Sequence, residues 1–334
     1  MLSVPVTEAS RVAEARRCAV TMAQGLGFDE TAAGRVAIVA TELATNLVKY
    51  GNAGEILVGT FEDETGTGVE ILALDRGAGL ANVDEALRDG HSTGGSAGTG
   101  LGAVRRQSQA FDIASWPGQG TAVVCRLQQI SASATAAPRA PATVGVVSVP
   151  LKGETANGDA YCVRRRGEGW TAIVADGLGH GFLAAKASDE AVRLFRKHEH
   201  ERPSSILAAV HAGLGHTRGG AVSVARYDRE SGLVSFAGIG NVAGAVVGAG
   251  ETKRTVSLPG TAGHVARRIQ EFEYPLDPDG LFVMCSDGIG TAWSLDAYPG
   301  LIGAHPRLIA GVLYRDFSRV RDDATVIVVR NLRS

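Results

Sequence analysis

Cysteine, aromatic residues and charge of one sign are all scarce in this chain, and each scarcity narrows what it can be. Its 334 residues hold four cysteines, Cys18, Cys125, Cys162 and Cys285, with no CxxC among them. Three lie in apolar, strand-like runs, so buried free thiols are expected rather than a metal site or a disulfide framework. The formal net charge is −2, with no Lys/Arg-rich run and no basic aromatic stripe, which argues against a nucleic-acid partner. No run of about 18 apolar residues occurs, and the amino terminus lacks a charged-then-apolar signal pattern. A cytoplasmic protein without a membrane partner is therefore expected.

What the chain does have is glycine, 44 residues of it, in a composition that is 45 % hydrophobic and 20 % charged. Those proportions fit an ordinary globular protein, and the length fits two domains. The division falls at residues 128–143, QQISASATAAPRAPAT, which are small, polar and proline-containing without apolar periodicity. Such a stretch reads as a flexible linker between domain 1–127 and domain 144–334.

In the first domain, residues 9–26 and 29–50 read as helices, with Asp29 an N-cap for the second. Val36, Val39, Leu43, Leu47 and Tyr50 form one amphipathic stripe along that second helix. Glu42 and Asn46 in TELATN stand four apart, one turn from each other on the edge of the stripe. VEILALDRGAGL (69–80) is an apolar strand that ends in Asp75, Gly77 and Gly79. GTGLGAVRRQ then places Gly98, Gly100 and Gly102 at the opening of a helix, where free N–H groups favour phosphate. FDIASWPGQGTAVVCRL reads as a hairpin turning at Pro117–Gly120. There is no GK[ST], and the order of elements is not that of a dinucleotide fold.

The ordered set of Glu42, Asn46, DxGxG, GxGxG and Gly120-Thr121 resembles the GHKL ATPases. Within them it is closest to the RsbT-like and SpoIIAB-like anti-sigma-factor serine kinases, and HSTGG strengthens the likeness. The resemblance covers roughly residues 8–127. It implies that Glu42 polarises the attacking hydroxyl, that Asn46 coordinates Mg²⁺ and that Asp75 binds the adenine amino group. It also implies that Gly77 and Gly79 shape the base pocket, that Gly98, Gly100 and Gly102 wrap the phosphates, and that Thr121 belongs to the ATP site.

The second domain repeats one local form four times, a carboxylate beside the end of an apolar strand. These are Asp159 in ANGDAYCV, Asp176 in IVADGLGHG, Asp287 in LFVMCSDGIG and Asp322 in RDDATVIVVR. Carboxylates delivered to one place from several strands make a hard-oxygen site, suited to Mg²⁺ or Mn²⁺ rather than Zn²⁺. In this order, with GIGNVAG and LPGTAGH between them, they resemble the PPM-type serine/threonine phosphatases of the SpoIIE and RsbX branch, over about 144–332. The resemblance implies that Asp159, Asp176, Asp287 and Asp322 ligate two metals, with Gly177 adding its carbonyl and Asp176 bridging. His180 is read as a structural neighbour or a general acid, and Asp323 as a support for the ligands. His264 is read as a loop stabiliser, and His198, His200 and Arg164–Arg166 as solvated surface.

The expected fold is α+β in two domains, a GHKL-type α/β sandwich followed by a PPM-type α-β-β-α sandwich. The resemblances imply ATP with Mg²⁺ in the first domain and two Mn²⁺ or Mg²⁺ in the second. They also imply a STAS-domain protein as partner and substrate, with a sigma factor or downstream activator as a further partner. The alternative is a phosphatase only, its first domain being a nucleotide-dependent binding module.

Overall fold

A short strand β1 (Leu2–Pro5) precedes two helices, α1 (Ala9–Gly25) and α2 (Glu30–Tyr50). The computed structural model describes residues 1–63, 66–88, 100–129, 143–248 and 250–331. Asp29 N-caps α2, its carboxylate accepting the Ala32 N–H at 2.7 Å and so satisfying one of the free donors of the first turn. Val36, Val39, Leu43 and Leu47 are buried, but Tyr50 is 53 % exposed. The helix ends at Tyr50, and that residue falls at the rim of a cavity instead of continuing the apolar stripe.

The chain continues through β2 (Glu55–Asp63), β3 (Gly66–Leu74), α3 (Val83–Ala86), α4 (Gly100–Gln107), β4 (Ala110–Trp116) and β5 (Gly120–Leu127). The strands form one antiparallel sheet in the order β1-β2-β3-β5-β4. Alternation sends Ile56, Val58, Val69, Ile71, Val123 and Cys125 into a core shared with Ala15, Ala19, Val36, Val39, Leu43 and Val104 of the helices. The β4–β5 turn relies on Gly118 and Gly120, at φ of 77° and 86°, which other residues adopt only with strain.

The opposite face of this sheet carries Leu57, Leu72 and Leu74, all buried, and a fully buried Glu70. It is covered from far along the chain. Tyr298–Arg315 belongs to the same compact unit as Met1–Ala142, while Thr143–Ala297 and Asp316–Ser334 form the other. Arg126 donates to Glu70 at 2.6 Å, and Arg307 pairs with the same carboxylate. A Cβ at Gly311 would stand 2.7 Å from Leu72, so glycine there lets the helix backbone approach the sheet. The Trp116 indole N–H donates to the Pro299 carbonyl at 3.0 Å, and Asp112 accepts the His305 N–H at 2.6 Å. An apolar sheet face must be covered, and residues 298–315 supply the cover.

The second unit contains β6 (Val144–Val149), β7 (Asp159–Arg166), β8 (Gly169–Gly177), α5 (Phe182–His198), α6 (Pro203–Gly213), β9 (Gly220–Asp228), β10 (Leu233–Ile239), β11 (Ala243–Val247) and β12 (Thr252–Arg254). It goes on through the short pair β13 (Gly260–Thr261) and β14 (Val265–Ala266), then β15 (Phe272–Pro275) and β16 (Leu281–Cys285). Helix α7 (Pro306–Phe317) comes next in the chain but belongs as far as Arg315 to the first unit, and strand β17 (Ala324–Arg330) completes the second. Two five-stranded antiparallel sheets result, β15-β10-β9-β8-β7 and β12-β11-β16-β17-β6. Strand β8 shows why the sequence there is apolar without interruption. Ala172 and Val174 enter the core between the sheets with Phe236, Phe282, Met284 and Ile327. Ile173 and Ala175 enter a second core under α5 and α6 with Phe195, Ile206 and Leu207. A strand buried on both faces cannot alternate with polar residues.

The fold is α+β in two parts, as the sequence led one to expect. Cys125, Cys162 and Cys285 are buried and free, and Cys18 is half-buried and free. Residues 130–142 of the expected linker lie outside the described residues. Among the described residues, no helix is long and apolar enough to cross a membrane.

Candidate functional sites: a glycine-shaped pocket and a carboxylate centre

In the first unit a cavity of about 620 Å³ opens between α2, the end of β3, α3, α4 and β5. Its lining includes Glu42, Asn46, Asp75, Gly79, Gly100, Gly102 and Thr121, which the sequence reading had gathered from four separate segments. Gly77 sits beside Asp75, its N–H donating to Asp75 Oδ1 at 2.6 Å. Gly98 lies outside the described residues.

Backbone packing explains the glycines. A Cβ on Gly77 would collide with the Tyr50 carbonyl and stand 2.8 Å from Asp75 Oδ1. Gly79 adopts φ of 71°, and a Cβ there would strike the Trp116 carbonyl. Thr121 Oγ1 shares a hydrogen bond with Ser115 Oγ at 2.8 Å, and Ser115 Oγ accepts the Leu80 N–H at 2.7 Å. Burial raises the Asp75 carboxyl above the usual range, opposed by the Gly77 N–H, the Arg315 charge and the Thr121 backbone. Lys49 and Arg88 also line the cavity. The sequence reading missed both; Lys49 was findable, since it lies one turn beyond Asn46 on the same face of α2.

In the second unit, strand register brings the acids together. Asp159, the first residue of β7, lies directly opposite Asp176 near the end of β8. Asp287 follows β16 by two residues, and Asp322-Asp323 immediately precedes β17, the partner strand of β16. Ser286 Oγ donates to Asp159 Oδ2 at 2.6 Å, tying the two sheet ends to each other. Ser286 Oγ also accepts the Thr325 N–H at 2.9 Å. Asn241 Nδ2 donates to Asp287 Oδ2 at 2.6 Å, and Asp323 Oδ1 accepts the Leu151 N–H at 2.8 Å.

The electrostatics are severe. Burial, then the neighbouring carboxylates Asp159, Asp287 and Asp322, push Asp176 up to about 9. Burial raises Asp159 to about 7, against hydrogen bonds from Ser286 and Thr325. Asp322 is raised by burial and by Asp287, and Asp323 mainly by burial. No hydrogen-bond donor reaches Asp287 Oδ1 or Asp323 Oδ2, although both are buried. A buried carboxylate oxygen without a donor fits a cation-binding role. Among the described residues, no three of these side chains converge on one point at ligand distance. The mutual charge effects nevertheless show that they occupy one neighbourhood.

Close packing leaves Gly177 and Gly288 no alternative. A Cβ on Gly177 would strike the Ala184 carbonyl, and one on Gly288 the Asp323 carbonyl. His180 is exposed and its Nδ1 pairs with Glu154 Oε1 at 2.7 Å, a partner the sequence did not reveal. His264 Nε2 lies 3.2 Å from the Thr217 carbonyl oxygen. His198 pairs with Glu201, Arg164 with Glu199, and Arg166 with His200, all at the surface.

Comparisons with known proteins fall into the same two parts. Residues 4–127 match the histidine kinase-like ATPase domain, and residues 166–331 match stage II sporulation protein E (SpoIIE). The serine/threonine-protein kinase RsbT of Bacillus subtilis (strain 168) is 32 % identical over 112 residues, which are 34 % of this chain and 84 % of that protein. The chain belongs to the RsbT family, with a SpoIIE-type phosphatase domain joined to it.

A chain from the structure "The bacterial stressosome: a modular system that has been adapted to control secondary messenger signaling" is 28 % identical, with a TM-score of 0.52. That likeness covers 56 % of this chain and 98 % of the other. The PP2C phosphatase domain of SpoIIE from Bacillus subtilis, with a fragment of its regulatory domain, is 16 % identical with a TM-score of 0.49, over 98 % of this chain and 96 % of that one. The protein is thus an enzyme of the SpoIIE phosphatase class that also carries an RsbT-type kinase domain.

Proposed function

We propose that the chain is a bifunctional partner-switching regulator that adds a phosphoryl group to a serine or threonine of a STAS-domain protein and removes it again. The observation that carries the proposal is that one chain carries both an RsbT-type pocket and a SpoIIE-type cluster of carboxylates. An RsbT-type pocket keeps Glu42 and Asn46 on its wall, and a SpoIIE-type centre keeps Asp159, Asp176, Asp287 and Asp322. We take residues 1–127 and 144–334 as the functional domains, joined by 128–143.

In the kinase domain, Glu42 accepts the proton of the protein hydroxyl, a role that needs a carboxylate within hydrogen-bond reach of the nucleophile. Asp75 receives the adenine amino group, its carboxylate being fixed by Gly77. Asn46 would supply the protein oxygen for Mg²⁺, and Gly100 and Gly102 at the start of α4 would offer backbone N–H groups to phosphate, a role the resemblance extends to Gly98. Bound ATP and Mg²⁺ supply the phosphoryl group and neutralise its charge.

In the phosphatase domain, the fit to divalent cations rests on the donor-free oxygens of Asp287 and Asp323 and on the raised carboxyls of Asp159 and Asp176. Asp159, Asp176, Asp287, Asp322 and the Gly177 carbonyl would hold Mn²⁺ or Mg²⁺. Such a pair supplies an activated water and neutralises the phosphate oxygens. Asp176 is the acid most affected by its neighbours, since the charges of Asp159, Asp287 and Asp322 all oppose its ionisation. Ser286 and Asn241 keep Asp159 and Asp287 oriented. An enzyme that consumes ATP works where ATP is, so we place the protein in the cytoplasm.

The test is a paired assay with a purified STAS-domain protein as substrate. One arm supplies γ-labelled ATP with Mg²⁺, the other the phosphorylated STAS protein with Mn²⁺, and Asp176→Asn runs in both. Label should enter the STAS protein, accumulate further with the variant, and leave only when Asp176 is intact. Dephosphorylation without any entry of label would reduce the first domain to a nucleotide-dependent binding module.

A further inference from the structure

The Asp75 main chain poses a problem that only a distant residue solves. Strand β3 ends at Leu74, so the Asp75 carbonyl has no place in the sheet ladder. Its N–H is tied to the Thr121 carbonyl at 3.0 Å. The carbonyl is tied by the guanidinium of Arg315, which donates to it at 2.8 Å across 240 residues of sequence. Arg315 is only 6 % exposed. Together with the Gly77 N–H on Oδ1, these bonds fix the plane and direction of the Asp75 carboxylate.

Arg315 is held in turn by the segment that covers the sheet. Its neighbour Tyr314 donates to Glu55 at 3.1 Å, Arg307 pairs with buried Glu70, and Gly311 seats the helix backbone on Leu72 and Leu74. Beyond Arg315 the chain enters the second unit and binds the loop that carries Asp287. The Phe317 carbonyl accepts the Gly290 N–H at 2.8 Å, Ser318 bridges Ile289, and the Arg319 N–H donates to the Gly288 carbonyl at 2.7 Å. The same stretch then reaches Asp322.

We propose that Arg315 is a positioning residue of the nucleotide pocket, and that the stretch from Arg315 to Asp322 makes nucleotide binding and the phosphatase centre answer to each other. The proposal rests on the nucleotide reading of the pocket. A ligand that bonds Asp75 loads the peptide that Arg315 holds, and the chain beyond Arg315 is bonded to the Asp287 loop at Phe317, Ser318 and Arg319 before it reaches Asp322. Coupling of this kind is reciprocal, so whatever nucleotide does to that centre, its occupant does to nucleotide.

The experiment uses the full chain and ADP as probe. ADP affinity is measured by calorimetry at fixed saturating Mg²⁺ for the wild type, Arg315→Ala, Arg315→Lys and Tyr314→Phe, with thermal unfolding beside it. Hydrolysis of p-nitrophenyl phosphate is then followed with and without ADP. Arg315→Ala should weaken ADP about tenfold, the scale of one lost charge-assisted hydrogen bond. Arg315→Lys should recover part of the loss. Tyr314→Phe, which loosens the same helix without removing the bond to Asp75, should lower the melting temperature and weaken ADP far less than Arg315→Ala does. ADP should alter hydrolysis in the wild type and not in Arg315→Ala.

Unchanged ADP affinity in a folded Arg315→Ala protein would overturn the positioning role. If Arg315→Ala does not fold, Arg315→Met, which keeps the stem without a donor, would overturn it equally by binding ADP with wild-type affinity. Wild-type hydrolysis indifferent to ADP would overturn the coupling. A wild type that binds no ADP at all would instead remove the nucleotide reading on which the proposal stands.

Discussion

The two candidate sites are built on opposite principles. The nucleotide pocket is shaped by backbone. Gly77 and Gly79 stand where any side chain would collide with a carbonyl, and the Asp75 peptide is tied at both its N–H and its C=O. Such a site is organised before anything enters it. The carboxylate centre is shaped by strain between charges. Asp176 is pushed to about 9 and Asp159 to about 7 because burial and neighbouring acids oppose ionisation. The first site holds its shape through backbone bonds, whereas the second gathers acids whose charges oppose one another.

The contrast can be broken at either side. Asp176→Asn should have the largest effect, lowering metal-dependent phosphatase turnover at least about a thousandfold, or ~4 kcal/mol of barrier, in steady-state hydrolysis of a phosphoprotein. The same variant should melt higher than wild type in the presence of a chelator, because one strained carboxyl is gone. Glu42→Ala should come next, slowing phosphoryl transfer to a STAS protein by about a hundredfold to ten-thousandfold, the usual reach of a general base. ADP affinity measured by calorimetry should be kept, since the residue acts on the protein hydroxyl.

Gly79→Ala should cost about 1–3 kcal/mol of stability in thermal unfolding and abolish ADP binding, because φ of 71° and the Trp116 carbonyl both oppose a Cβ. Gly100→Ala, where nothing stands within 4 Å of the added atom, should be mild by the same measurements. The comparison would fail if these two substitutions behaved alike.

A pH series sharpens the other side. Asp159 and Asp176 have folded-state pKa values raised above those of the unfolded chain, so they favour folding most below about 4, the ordinary carboxyl value. That contribution is lost as pH rises through about 7 and about 9. The chelated protein should therefore melt progressively lower between pH 5 and 9 by differential scanning fluorimetry, on the order of several degrees. Mn²⁺ should flatten the trend. The smallest effect should come from His180→Ala, less than about tenfold on phosphatase turnover, since the imidazole is exposed and bound to Glu154.

Much of this was legible in sequence, for a physical reason. Glycines next to a strand-ending aspartate and carboxylates at strand ends are local patterns, and both sites are assembled from such patterns. The N-cap Asp29 and the doubly buried strand β8 were equally local. What was hidden depends on tertiary contact. Arg88 carries no motif, and only the shape of the pocket brings it to the wall. Glu154 lies 26 residues from His180, with no pattern linking them. The burial of Glu70 between Arg126 and Arg307, and the reach of Arg315 to Asp75, join segments that sequence assigns to different domains. The role of Arg307 and Arg315 in α7 emerges only when they are seen buried in the structure.

The most direct test of the account is a calorimetric titration of Mn²⁺ into nucleotide-free protein near pH 7.5, repeated in buffers of different ionisation enthalpy, with Asp176→Asn alongside. The account predicts tight binding accompanied by proton release, because Asp176 holds a proton at that pH and must give it up to a cation. In the variant that release should disappear and binding should weaken sharply. Binding without proton release, and identical in the variant, would contradict the claim that cations compensate the four-aspartate centre.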